Sequence, residues 1–337
     1  MFKDMRLNKP NQLWLVFFLL LLLCGLGSYL SLRLGAIHFS HHELRQVLTS
    51  PLKDSKVQDI IIDIRLPRLI AAFFVGAAMA ESGLMMQGIT RNPIADPGLL
   101  GINAGAGLAL ILAQAFFKNL HYTHILIVCL LGSALATLLV FALSYRRGKG
   151  YNQLRLILAG AMVSTLFSAI GQATTLFFQL EASVIGWQAG GLAQTNWKML
   201  EIVLPFILLG IVLSQFLAHQ LNILSINETV AKGLGQETLS TTVILLLIVL
   251  SLSAGAVAIV GSIAFVGLII PHLLKMIFPK DYKLLLPITA FSGGTFLIWV
   301  DLLARILNPP TEVPLGAIIS MIGLPIFLWL MRRGGYL

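Results

Sequence analysis

The chain has 337 residues, 57% of them hydrophobic and 11% charged, with a formal net charge of +9 and a mean hydropathy of +0.89. Soluble globular domains are about 45–50% apolar and about 25% charged, so this composition excludes one. A membrane β-barrel is excluded because the apolar runs do not alternate, which leaves an all-α polytopic membrane protein.

Ten apolar runs are long enough to cross a bilayer, at roughly 12–32, 67–88, 98–116, 123–144, 155–177, 199–218, 240–257, 260–278, 285–306 and 314–331. The first continues past Cys24 with no small-residue cleavage pattern, so it reads as a span and not a cleaved signal. Cys24 and Cys129 both lie in apolar runs and make no metal-ligand pattern. An even span count puts both termini on one side. Lys3, Arg6 and Lys9 at one end and Arg332 and Arg333 at the other make that side cytoplasmic by the positive-inside rule. The inner loops then also hold Arg91, Arg146, Arg147, Lys149, Arg155, Lys232, Lys275, Lys280 and Lys283, so the net charge is mostly a topology signal. With no basic soluble domain, nothing in the chain points to nucleic acid.

The second span carries Glu81 in "GAAMAESGLMM". A carboxylate at that depth is expected to have a buried partner or to face a substrate path. "TRNPIADPGLLG" follows at 90–101. Pro93 and Pro97 remove amide donors and forbid one continuous helix, so the chain must turn at the inner face. In the fifth span Ser164, Ser168, Gln172 and Thr175 recur at helical spacing and share one face. That stripe either packs helices together or lines a path. "LNILSINETVAKGLGQETLS" at 221–240 joins spans six and seven with enough apolar side chains to dock on a partner, and Asn227 is its expected N-cap. Ile226, Val230 and Leu234 are expected on one face of a single helix, ended by Gly233 and Gly235. The apolar stretch 241–278 is too long for one crossing and is expected to break near "GAVAIVGS".

Three long segments then carry a family resemblance. "RLPRLIAAFFVGAAMAESGLMMQGITRNPIADPGLLGINAGAG" at 65–107, "GSIAFVGLIIPHLLKMIFPKDYKLLLPITAFSGGTFLIWVDLLARIL" at 261–307 and "EVPLGAIISMIGLPIFLWLMRR" at 312–333 resemble permease subunits of ABC importers for iron-siderophores, haem and cobalamin. The resemblance implies ten helices per subunit, pairing with a second permease, and two cytoplasmic ATPase subunits. It also implies a binding protein docking on the outer face.

By the same resemblance, Asn222, Ile226, Glu228, Val230, Leu234 and Gly235 belong to the ATPase-coupling segment, and Asn92 and Ile94 to an inner gate. The family commonly shows Leu-Gly-Glu where this chain has Ile226, Asn227 and Glu228, so the helix start is expected to differ locally. Arg65, Arg68 and Arg305 match arginines that meet glutamates of the binding protein, although Asp63 and Asp301 are close enough in sequence to pair with Arg65 and Arg305. The face of Ser164, Ser168, Gln172 and Thr175, with Glu81, is the expected path lining.

No nucleotide-binding GxxxxGK[ST] occurs, so ATP and its magnesium are assigned to partner ATPases and no cofactor or metal to this chain. His41 and His42 are the only adjacent histidines and read as solvated surface groups. The expected function is an importer permease for a ferric siderophore, with haem or cobalamin next, and no enzyme activity of its own. The competing expectation is an ion-gradient transporter with Glu81 as the coupling carboxylate.

Overall fold

A computed structural model of the chain describes residues 10–49, 55–117, 120–144, 153–181, 184 and 190–332. The basic residues Lys3, Arg6, Lys9, Arg146, Arg147, Lys149 and Arg333 lie outside them.

The chain enters through α1 (Pro10–Arg33) and then makes two short helices on the far face, α2 (His41–Thr49) and α3 (Lys56–Asp59). It returns through α4 (Leu66–Thr90), then crosses in α5 (Ile102–Phe116), α6 (Tyr122–Ser144), α7 (Gln153–Phe177) and α8 (Trp197–Phe216). Two more short helices follow, α9 (Ala218–Ile226) and α10 (Glu228–Gly233). The last four are α11 (Thr238–Val260), α12 (Val266–Ile277), α13 (Tyr282–Ile306) and α14 (Leu315–Arg332). Among the described residues, seven helices are long and apolar enough to cross a membrane, and three shorter apolar ones, within α5, α12 and α14, bring the set to the ten expected.

α4 is the central post. It packs against α11, α12 and α13, and its side chains from Gly76 to Ile89 are buried throughout. Close approach depends on missing side chains: a Cβ on Gly83 would sit 1.9 Å from the Gly267 carbonyl oxygen. Any other residue there would drive α12 off α4. By contrast α1 lies at the periphery and turns Trp14, Leu15, Phe18 and Leu22 outward, the expected lipid face.

Two irregularities matter for the functional site. A π-helical segment, Ile60–Arg65, joins α3 to α4. Pro67 explains it, because a proline ring clashes with the carbonyl four residues back; here Leu66 N–H bonds to Ile61 O, five residues back, which widens the turn. The second is the broken return of the seventh and eighth spans. α11 crosses fully, but α12 has only 12 residues and rises about 18 Å. Residues 261–265 run irregularly and supply the remaining depth, at most about 17 Å. Gly261 and Phe265 both have positive φ, 79° and 70°. Irregular backbone at membrane depth persists only where protein or a cavity meets its polar groups. Asn103 Nδ2 donates to Ile263 O at 3.0 Å, so the start of α5 meets one of them.

Candidate functional site

The irregular segment forms one wall of a cavity of about 630 Å³, closed by α5, α7 and the turn between α4 and α5. Ser164, Ser168 and Gln172 project into it from α7, as the helical spacing predicts, and Ile94 joins them from the turn. Thr175 does not: it is buried and returns its hydroxyl to Gly171 O at 2.8 Å. Asn92 is not on the wall either. Its Oδ1 accepts the Ile94 N–H at 3.1 Å and sets the turn that presents Ile94.

Sequence reasoning missed Asp96, Asn103 and Ser262, which also line the cavity. Asp96 Oδ1 accepts Gly98 N–H at 2.8 Å, capping the short 3-10 turn Pro97–Leu100. Asp96 Oδ2 and Asn103 Oδ1 have no hydrogen-bond partner among the described residues. Burial pushes the Asp96 carboxyl up to about 6, more than the Gly98 hydrogen bond lowers it. The cavity thus offers hydroxyls, amides and one carboxyl group beside apolar Ile94, Phe167 and Leu268.

Glu81 is elsewhere. It is buried in α4 against α8, where Ser214 Oγ donates to its Oε1, and it is absent from the cavity wall. Expected on the path lining, Glu81 is placed by the structure off this cavity: the carboxyl has a buried hydroxyl partner between two packed helices.

On the far face the three arginines form one buried cluster. Arg68 Nε and Nη2 donate to Asp301 Oδ1 at 2.9 and 2.8 Å, and Arg68 Nη1 and Nη2 donate to Glu312 Oε1 and Oε2 at 2.6 and 2.8 Å. Arg305 lies 3.1 Å from Asp301 Oδ2, the pairing that a four-residue spacing on one helix allows, and Nη2 also donates to Ser31 Oγ at 2.5 Å. Arg65 does not use Asp63. It donates to the carbonyls of Leu32 and Ile37 and stacks its guanidinium 4.4 Å from the Phe39 ring. The arginines are thus tied into their own subunit. Glu312, on the linker from α13 to α14, is held below its usual carboxylate range: burial pushes it up, but the Arg68 hydrogen bonds and charge outweigh this.

On the opposite face α9 and α10 form the segment between α8 and α11. Asn227 caps α10 as expected, its Oδ1 accepting Thr229 N–H at 2.9 Å. That cap also breaks the predicted single helix. Ile226 ends α9, Val230 lies in α10 and Leu234 follows it, so the three do not share one helical face. They are nonetheless all open, at 68%, 44% and 66% exposed, while Leu221, Leu224 and Ala231 are buried. Gly235, with φ 81°, turns the chain toward α11. Asn222 fastens the segment to the body: its Nδ2 donates to Asp281 Oδ1 at 2.7 Å and its Oδ1 accepts Tyr282 N–H at 2.9 Å. The Asn222 bond is the main reason the Asp281 carboxyl sits below its ordinary range. Glu228 begins α10.

Among the described residues no three His, Cys, Asp or Glu side chains are grouped to hold a metal. His41 instead shares a 3.0 Å hydrogen bond with Tyr29.

Ten apolar helices among the described residues, with a broken one in the wall of a cavity of mixed polar and apolar lining, define a multi-span membrane protein. The chain belongs to the FecCD transport family, whose model matches residues 20–333. It is 37% identical over 314 residues to the iron(3+)-hydroxamate import system permease protein FhuB of Bacillus subtilis, covering 93% of this chain and 82% of that protein. It is 38% identical over 332 residues to the hemin transport system permease protein HmuU of Yersinia pestis, covering 96% of each. A solved inward-facing structure of a metal-chelate type ABC transporter superposes with a TM-score of 0.81 at 33% identity, over 94% of this chain and 99% of that one.

Proposed function

We propose that this chain is a permease subunit of an ATP-driven importer that moves a ferric siderophore across the cell membrane, with haem or cobalamin as the next candidates. The observation that carries the reading is the cavity. Hydroxyls and amides of Ser164, Ser168, Gln172, Asn103 and Ser262 line it where a membrane helix is broken. Such a wall offers many weak hydrogen bonds and no tight chelating set, so a bulky polar chelate can pass without being held. The names of the relatives support an iron-containing cargo.

In this reading the face bearing α9 and α10 is cytoplasmic and receives two ATPase subunits. The face bearing the arginine cluster is extracytoplasmic and receives the binding protein, and a second permease completes the path. ATP and magnesium act on the ATPases, and this chain binds neither.

The test is reconstitution of the assembled importer in proteoliposomes. Radio-iron supplied as a ferric trihydroxamate on the binding protein should accumulate only with ATP inside the cytoplasmic compartment, and an uncoupler should not stop it. Uptake that persists without ATP and collapses with the ion gradient would overturn the reading.

A further inference from the structure

Arg68 has five N–H groups, and the two carboxylates around it occupy four of them. The residue is only 5% exposed. No carboxylate from outside can reach it while both partners stay in place.

Those partners differ. Asp301 is fully buried on α13 and is shared with Arg305, so its departure would strand two buried guanidiniums. The Glu312 side chain is 36% exposed and sits on the short linker to α14. Water can receive that carboxylate, and the linker can carry it away. Among the described residues, Arg68 and Arg305 pair with Asp301 and Glu312 while Arg65 bonds to backbone carbonyls, so these three arginines and two carboxylates leave one excess positive charge, and two once Glu312 leaves.

We infer that Glu312 is a displaceable stand-in for a carboxylate of the docking protein: on docking, an acidic side chain of the binding protein takes its place on Arg68. This rests on the docking reading above. The exchange also has a route to the cavity. Val313 N–H bonds to Ala304 O at 3.1 Å, and Leu315 N–H, at the start of α14, bonds to Gly190 O at 3.3 Å. The neighbouring Gly191 N–H bonds to Val260 O at 3.0 Å, where α11 ends and the irregular cavity wall begins. Release of Glu312 therefore loosens a linker bonded, through Gly190 and Gly191, to the segment that forms the path.

The experiment uses the assembled importer in lipid nanodiscs and the binding protein that co-purifies with it, with docking measured at low salt. Glu312→Gln keeps the size and removes the competing charge, so docking should tighten roughly tenfold. Unchanged or weaker docking by an assembled Glu312→Gln importer overturns the inference. Should that variant not assemble, hydrogen exchange in the wild type decides: docking should speed exchange at Val313 and Leu315, and slower or unchanged exchange overturns the inference. A wild-type importer that never docks its binding protein sinks the importer reading itself, whereas docking without these effects sinks only the role of Glu312.

Discussion

The two faces of this permease present opposite surfaces. The far face hides its arginines under its own carboxylates, with Asp301 fully buried between Arg68 and Arg305. The near face leaves Ile226, Val230 and Leu234 open to solvent and anchors the segment that carries them mainly through Asn222. A buried ion pair is held by short charge-assisted bonds, and removing its fully buried member, Asp301, leaves the arginine charges beside it uncompensated. An open apolar face contributes little to the fold and much to a partner. In the importer reading, the first suits a protein that comes and goes with cargo, and the second suits subunits that stay attached.

The largest expected effect lies in the buried cluster. Asp301→Asn leaves Arg68 and Arg305 facing each other with one carboxylate fewer, and breaking a buried pair typically costs about 3–5 kcal/mol. Purified Asp301→Asn permease should unfold well below the wild-type temperature and yield poorly. An unchanged thermal midpoint would mean the cluster is only a surface decoration. For the same reason, reversing Arg65 and Arg68 to Glu should damage the outer rim of the fold as well as docking, because neither side chain is free in the undocked protein.

The near face should behave the other way. Val230→Asp places a carboxylate on an exposed position of α10, so the permease should keep its fold and thermal midpoint. It should nevertheless lose its ATPase subunits on purification, with uptake at background, because an unpaired charge in an apolar contact is costly. Retention of ATPase and of uptake would make the segment a passive connector. Thr229 is exposed as well, so Thr229→Asp is a milder neighbour and not a buried control.

Most of this division was legible in the sequence, and the rest was hidden for identifiable reasons. Ten crossings follow from apolar run length, and the broken one shows as a run too long for one crossing, interrupted near the glycines of 255–262. The Asn227 cap follows from residue type, and the α7 stripe from helical spacing. What local pattern cannot supply is a partner distant in sequence. Glu312 meets Arg68 across 244 positions and Ser214 meets Glu81 across 133, and no periodicity encodes either. Thr175 shares a helical face with Ser164, yet it lies one turn beyond the cavity and bonds to its own helix. Asp96 escaped because it looks like a turn residue, which it is, and Asn103 because it opens a largely apolar helix; the cavity exists only because the turn folds against α7 and residues 261–265.

A smaller effect should come from the Asn222 anchor of the near face. Asn222→Ala removes the bonds to Asp281 and Tyr282, each worth about 1 kcal/mol in this partly exposed place. The segment should stay folded, because Leu221 and Leu224 remain buried. It should, however, lose its fixed position against α13. The expected signature is an intact ATPase complex that hydrolyses more ATP per chelate imported. A proportional fall in hydrolysis and uptake would show instead that Asn222 serves ATPase attachment.

Glu81→Gln should do the least, and it sharpens the comparison because Glu81 belongs to neither face. The carboxyl sits between α4 and α8 with Ser214 as its partner, away from the cavity and from both docking surfaces. Ser214 Oγ also lies 2.7 Å from Ile211 O of its own helix, so its one proton is shared between that carbonyl and Glu81, and the Glu81 contact is a local bridge between α4 and α8. A glutamine amide has nearly the same volume, keeps a carbonyl acceptor for the serine and adds a donor, so the bridge can re-form. Uptake, docking and ATPase retention should therefore stay within about twofold of wild type. Glu81→Ala should lower the thermal midpoint, since it empties a packed polar position. The opposite outcome would be informative. If Glu81→Gln abolished uptake while ATP hydrolysis continued, and wild-type uptake followed an imposed ion gradient, the carboxylate would be moving charge and the division of labour between the two faces would fail.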